Sequence, residues 1–149
     1  MKLLRHFQIL VVLALSVLFT NCEKKEIYND LEDHWKLEKF EIKESKQVVY
    51  CDRLFFGITY LVTEIAEKNP PFYQSYFART EYRDNNTKLV LYDFKTKEFA
   101  NGEPIPATSE QLKAFGIINP DETVFQIVEL NRKKLILESD YARLELKRF

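Results

Sequence analysis

The chain has 149 residues, a formal net charge of −1 and 30% charged residues. Its length suits a single domain with a sizeable core, and its charge balance provides no basic surface of the kind that binds nucleic acid. Only three glycines are present, which excludes the glycine-rich loops that hold phosphate groups. Twelve Phe and eight Tyr favour β-strands over helices.

The first 22 residues have the layout of an export signal. Lys2 and Arg5 precede an apolar run at residues 9–19, and Cys22 follows, with charged residues directly after it. Eleven residues of helix extend only about 16 Å, roughly half of the hydrocarbon core of a bilayer. The run is therefore too short for a membrane span and fits the apolar part of a signal peptide.

The segment LFTNC at residues 18–22 resembles a bacterial lipobox, in which the cysteine becomes the acylated first residue of the mature protein. We predict a lipoprotein signal peptide at 1–21, lipid attachment at Cys22 with palmitate among the acyl chains, and a tether at 22–33. Two or more acyl chains give stable membrane anchoring. An ordinary cleaved signal with an unmodified Cys22 is the alternative.

Short strands are predicted along the first half of the mature chain. The first strand lies at 35–42, and its apolar residues change face between Leu37 and Phe40, which predicts a β-bulge near residues 38–39. A long apolar stretch then divides near Gly57, because one strand of that length would be unusual. The further strands are predicted at 48–56, 59–65, 72–83 and 88–95.

The second half is predicted as a loop at 96–106, a short helix at 110–115 and three strands at 123–130, 133–139 and 142–149. Ser109 is expected to cap the helix and Gly116 to end it, with Leu112 and Phe115 packing inward. Eight antiparallel strands with short connections close into a barrel that is either filled by side chains or holds one small ligand. We therefore predict an all-β, antiparallel, eight-stranded barrel with one short helix at 34–149.

Few side chains carry the chemistry of a catalytic or metal site. His34 is the single histidine after the signal, and Cys51 the single cysteine after Cys22, so no pair has the spacing of metal ligands. The two are also the only cysteine–histidine pair available for nucleophilic catalysis. We predict no catalytic residue, no metal and no cofactor, and we interpret Cys51 as a buried small apolar residue, with a reactive thiol as the alternative.

Six aromatic residues fall on adjacent central strands. Core packing and cross-strand pairs are the favoured interpretation, and the lining of a ligand cavity or a sugar-stacking surface is the alternative. The six residues are Tyr60, Tyr73, Tyr76, Phe77, Tyr92 and Phe94.

The order of these features resembles the lipocalin-like lipoproteins of Bacteroidetes-type bacteria, a family largely of unknown function. The resemblance is carried by the signal ending in cysteine, by Trp35 and Leu37 in the first strand, by Phe-Gly-Ile at 115–117 and by the terminal run at 125–149. It implies a calycin-type, lipocalin-like barrel. It supplies no catalytic residue.

We therefore expect a lipid-anchored lipoprotein of the bacterial outer membrane, in either leaflet, that is not an enzyme. The leading hypothesis is a binding module that holds a small apolar or amphipathic ligand inside the barrel. The alternative is a protein-interaction or envelope-structural module with a filled core and no ligand. The ligand-binding residues are not predicted by the sequence, and the expected partners are the membrane, through the lipid anchor, and either that ligand or an envelope protein, without nucleic acid.

Overall fold

The computed structural model describes residues 30–71 and 73–149, so the predicted signal peptide, Cys22 and most of the tether lie outside the described residues, as does Phe72. The described part of the chain forms nine strands and one short helix. They are β1 (His34–Ile42), β2 (Val48–Ile58), β3 (Val62–Glu67), β4 (Gln74–Arg83), β5 (Lys88–Ala100), β6 (Glu103–Pro106), α1 (Ser109–Leu112) with a 3₁₀ turn (Lys113–Phe115), β7 (Glu122–Leu130), β8 (Lys134–Glu138) and β9 (Ala142–Arg148).

Eight strands form a closed antiparallel ring in the order β1-β2-β3-β4-β5-β7-β8-β9, and β9 pairs with β1 to complete it. The predicted all-β, antiparallel, eight-stranded barrel with one short helix is therefore confirmed. The ninth strand, β6, pairs with β5 outside the ring. Within the described residues β6 is thus an edge strand, whereas the ring has no open edge.

Hydrogen bonds define two ends of the barrel. At one end, Asp33 O accepts from Ile58 N–H at 2.9 Å and His34 O accepts from Phe149 N–H at 2.9 Å. We call this end the N-terminal rim; it comprises residues 30–33, 59–61, 84–87, 131–133 and 149. The opposite end carries the helix and is called the helical rim; it comprises residues 43–47, 68–71, 73, 109–117 and 139–141.

The bulge predicted in the first strand is confirmed. The pairing of β1 with both of its neighbours shifts register between Leu37 and Lys39. Leu37 and Phe40 are consequently both buried although they are three residues apart, while Glu38 between them is exposed. The extra residue lets one strand keep its apolar side chains in the core as the wall of the barrel bends.

The interior of the barrel is filled by apolar side chains. Large aromatic residues are fully buried there, together with leucines and isoleucines from six of the ring strands, namely β1, β2, β3, β5, β8 and β9. The largest of them are Trp35, Phe56, Phe94, Phe115 and Phe125. Trp35 also donates its indole N–H to Leu31 O at 2.8 Å, so the last residues of the predicted tether pack against the barrel.

The helix closes the helical rim as a plug. Leu112 and Phe115 both point into the core, as predicted, and Phe115 packs edge-to-face against Phe56 and Tyr76 at centroid distances of 6.2 and 6.0 Å. Gly116 ends the 3₁₀ turn with φ of 72°, a conformation that favours glycine. These contacts seat the short helix inside the mouth of the barrel.

Three local predictions are wrong. Gly57 does not separate two strands, because it lies inside β2 and the turn to β3 is at 59–61. The cap of α1 is Thr108, one residue before the predicted Ser109: the Thr108 side chain accepts from Gln111 N–H, and the Gln111 side chain accepts from Thr108 N–H. The predicted loop at 96–106 is instead the end of β5 followed by β6. Pro104 and Pro106 suggested a loop, but an edge strand tolerates proline because it has neighbours on one side only.

Candidate functional site

An outer groove of about 800 Å³ lies along β7 and reaches the helical rim. It is bordered by the turn between β1 and β2, the segment before β7, the start of β5 and the turn between β8 and β9. Its lining residues are Lys43, Glu44, Lys88, Ile118, Asn119, Glu122, Thr123, Val124, Gln126, Val128, Glu138, Ser139, Asp140 and Tyr141. We call this the β7 groove.

The apolar floor of the β7 groove follows from the alternation of side chains along β7. Thr123 and Phe125 point into the barrel and are buried, so Val124 points outward. Val128, four residues further along, has the same parity and is also exposed. Two valines on a solvent-facing surface thus form an apolar strip between polar residues.

Ion pairs neutralise most of the charges around the groove. Glu138 contacts Lys43 at 3.0 Å and Arg143 at 2.8 Å. The hydrogen bonds from these two side chains lower the pKa of Glu138, and the bond from Lys43 has the larger effect. Two other charged residues of the groove pair with residues outside it. Glu122 contacts Arg83 at 2.9 Å, and Lys88 contacts Asp84 at 2.7 Å.

Two carboxylates of the groove are not neutralised in this way. Glu44 and Asp140 are exposed and belong to no ion pair within residues 30–71 and 73–149. Both stand in turns of the helical rim. The uncompensated charge of the groove is therefore negative, and it lies at the end of an apolar strip.

The side chains of the groove offer several kinds of contact to a bound molecule. Around the groove, valine side chains offer apolar contact and carboxylates accept hydrogen bonds from a cation. No group of three or more His, Cys, Asp or Glu side chains suited to a metal ion occurs among the described residues. The groove lining contains neither histidine nor cysteine.

Cys51 and His34 lie far apart. His34 pairs with Gly57, six residues beyond Cys51 on the same strand, which separates them by roughly 20 Å. Cys51 is half-buried, its thiol donates weakly to Val49 O at 3.8 Å, and burial raises its pKa to about 11. The thiol is therefore protonated at neutral pH and packs against the core, in agreement with its interpretation as a small apolar residue.

The six aromatic residues singled out from the sequence do not gather at one site. Tyr76 and Phe94 are buried in the core, whereas Tyr60 and Tyr73 are exposed on different parts of the surface. The remaining two, Phe77 and Tyr92, are half-buried. Core packing explains two of the six, and the set as a whole lines no common cavity.

Sequence reasoning missed the β7 groove because its walls come from five separate segments of the chain. One signal was available in the run TVFQIVEL: Thr123, Phe125 and Ile127 form the inward set. Val124 and Val128 therefore lie on the face of the strand that is expected to contact water. Apolar residues on the polar face of a strand mark a surface that contacts something other than water.

Comparisons with known proteins identify the fold. A family model described as a lipocalin-like domain matches residues 17–149. A lipocalin-like protein from Bacteroides uniformis ATCC 8492 is similar in structure, with a TM-score of 0.60 and 13% identity over 80% of this chain and 99% of that protein. An uncharacterized protein from Bacteroides eggerthii DSM 20697 is similar, with a TM-score of 0.60 and 16% identity over 78% of this chain and 98% of its own. No curated protein has a significantly similar sequence.

Among the described residues, no helix combines the length and the hydropathy that crossing a bilayer requires.

Proposed function

Because the chain belongs to the lipocalin-like domain family, we propose that it is a non-enzymatic binding module that takes its ligand in the β7 groove rather than inside the barrel. The fold is typical of binding proteins that catalyse no reaction. The observation that carries the location is the filled interior, which the helix closes with Phe115. These buried side chains occupy the space that a ligand inside the barrel would need.

The groove suggests the class of ligand. Its volume of about 800 Å³ falls within the range of small-molecule sites. The strip of Val124 and Val128 suits an apolar body, and the uncompensated carboxylates of Glu44 and Asp140 suit a positive charge at one end. We propose an amphipathic molecule with a cationic group as the ligand.

Two fluorescent probes with the same dansyl group test this proposal. Dansylcadaverine carries an amine, and dansyl-6-aminohexanoate carries a carboxylate at a similar distance. Two carboxylates near the bound amine contribute about 1 kcal/mol each before screening by salt. We expect dansylcadaverine to bind three- to tenfold more tightly, with Glu44→Gln/Asp140→Asn reducing that preference to less than twofold.

The location within the groove is tested by Val128→Arg, which places a long charged side chain on the apolar strip. We expect this variant to lose at least tenfold in affinity for dansylcadaverine. Val62→Arg is the matched control, because Val62 is also an exposed valine of the barrel surface but lies outside the groove. Equal loss in the two variants, or no preference for the cationic probe, contradicts the proposal.

We further propose that Cys22 carries a lipid anchor in the outer membrane. The support is the layout of residues 1–22 and the lipobox-like segment at 18–22. Cys22→Ala should appear in the soluble fraction with a mature mass that lacks acyl chains, while Cys51→Ala should remain in the membrane fraction. A Cys22→Ala protein that stays in the membrane fraction with an unchanged mass would show that the anchor is absent.

A second candidate function is the docking of an envelope protein, which one observation favours. Tyr50, Tyr73 and Phe99 are exposed, and Tyr73 and Phe99 each lie three residues beyond the paired residues Tyr76 and Thr96 of β4 and β5. Exposed aromatic side chains are enriched at protein interfaces. Crosslinking from positions 73 and 99 in cells distinguishes this function from groove binding, which does not involve these residues.

A further inference from the structure

We propose that the N-terminal rim of the barrel rests on the bilayer, with the turn at 59–61 and Phe149 inserted in the interfacial region. The inference rests on the lipid anchor at Cys22 that the proposed function includes. It adds a contact surface and a fixed orientation of the barrel to that anchor.

The first argument is the point at which the N-terminal segment meets the barrel. Asp30 lies at the N-terminal rim, where its carbonyl oxygen accepts from an Arg148 Nη2 hydrogen at 2.8 Å. Eight residue steps separate it from Cys22, and a fully extended chain covers at most about 28 Å over that length. An anchor at Cys22 thus keeps this rim near the membrane surface and the helical rim farther from it.

The second argument is the exposed apolar surface of the same rim. Leu61 is 68% exposed at the tip of the turn between β2 and β3, and Tyr60, Val62 and Phe149 are also exposed. The turn is held in shape by Thr59, whose hydroxyl donates to Val62 O at 2.6 Å. A tyrosine beside aliphatic residues on a rigid tip suits the boundary between headgroups and acyl chains, where one part of the side chain is apolar and the other is wet.

The third argument is charge, which decides the kind of lipid contact. Arg132 and Lys133 are exposed in the turn at 131–133, but Asp30 and Glu32 lie on the same rim. The charges of the rim are therefore mixed, and attraction to anionic lipid contributes little. We infer that apolar insertion provides the contact and that it varies little with the fraction of anionic lipid.

The proposed orientation has a consequence for the β7 groove. Glu44 and Asp140 stand on the helical rim, and nine-residue strands such as β1, tilted by about 35–45° as barrel strands are, place that rim roughly 20–25 Å from the N-terminal one. The cation-binding end of the groove therefore faces away from the bilayer and is open to ligands in the aqueous phase.

A matched pair of valines provides the test. Val62 is 43% exposed beside the N-terminal rim and Val48 is 42% exposed near the helical rim. Val62→Trp and Val48→Trp are each made in the full lipidated chain and reconstituted into phosphatidylcholine vesicles with lipid brominated near the headgroup. Trp35 is fully buried in both proteins, and its signal is subtracted with the unsubstituted chain.

We expect bromine quenching of the new tryptophan to be at least twofold stronger at position 62 than at position 48. Leu61→Asp added to Val62→Trp should reduce that quenching, and 20% phosphatidylglycerol should leave it unchanged. Equal quenching at the two positions, or stronger quenching at position 48, overturns the proposed orientation.

Flotation of the same vesicles separates this inference from the anchor. A chain that floats because of Cys22 but shows equal quenching has its anchor and lacks the docking surface. A chain that does not float with the vesicles overturns both. Binding of dansylcadaverine is measured separately and does not depend on either result.

Discussion

The plug formed by Phe115 provides the sharpest test of the filled interior. The Phe115 side chain is 1% exposed and makes edge-to-face contacts with Phe56 and Tyr76. Truncation of a buried phenylalanine to alanine costs about 3–5 kcal/mol of the free energy of unfolding. Each aromatic pair contributes roughly 0.5–1.5 kcal/mol beyond the buried area. Phe115→Ala should therefore fall at the upper end of the range, near 5 kcal/mol.

Urea unfolding monitored by the fluorescence of Trp35 measures this loss of free energy. Thermal unfolding provides a second measurement: for roughly 120 ordered residues, 1 kcal/mol corresponds to about 3–5 °C, so we expect the Tm to decrease by about 15–25 °C. Phe99→Ala is the matched control because Phe99 is 68% exposed, and its change should stay within about 0.5 kcal/mol. A loss below about 1.5 kcal/mol for Phe115→Ala would mean that the helix does not seal the barrel, and a ligand in the interior would again be plausible.

Three further predictions concern other parts of the barrel. Gly116→Ala should destabilise the protein by about 1–3 kcal/mol in urea unfolding, because φ is 72° and a Cβ atom would lie 3.1 Å from Leu144 Cδ1; an unchanged midpoint would contradict this geometry. Cys51 should react with iodoacetamide much more slowly at pH 7.5 than a free thiol such as glutathione, and faster as the pH approaches its pKa of about 11; equal rates at pH 7.5 would exclude the buried thiol. The lowered pKa of Glu138 stabilises the fold above its unfolded pKa near 4.5, and this contribution disappears as the pH falls through the lower folded value. Glu138→Gln should therefore have a lower free energy of unfolding than the unsubstituted chain at pH 7, and this difference should shrink toward pH 3. A difference that stays constant with pH would show that the ion pair with Lys43 does not cause the loss of stability.

The sequence predicted those features that local patterns determine. The change of face between Leu37 and Phe40 indicated the bulge, because the period of a strand is two and any departure from it appears in the order of apolar residues. The end of the 3₁₀ turn at Gly116 followed from the same local logic. By contrast, β6 was missed because its proline content is typical of loops, and only its position at an edge makes those prolines acceptable.

The candidate site was beyond local patterns. Glu44 and Asp140 are about a hundred residues apart in the chain, and nothing in their neighbouring residues indicates that both lie at one groove. The sequence also did not predict whether the barrel is hollow. The alternation along a strand shows which side chains point inward, but it does not show how far the side chains of opposite strands interdigitate. That property depends on the plug at Phe115, which closes the barrel from outside the ring of strands.

The pairing of the first strand with the last has a consequence for how the molecule is made. Ile42 pairs with Ala142 and Trp35 with Arg148, so the seam between β1 and β9 joins strands about a hundred residues apart in the chain. Such distant contacts carry a large loop-closure entropy and slow the folding of a domain. Without β9, β1 and β8 would both expose unpaired backbone, and the other strands of the ring would form an open, curled sheet. The ring therefore closes only when β9 pairs on both sides, and the loss of this one strand would leave a sheet with two exposed edges instead of a barrel.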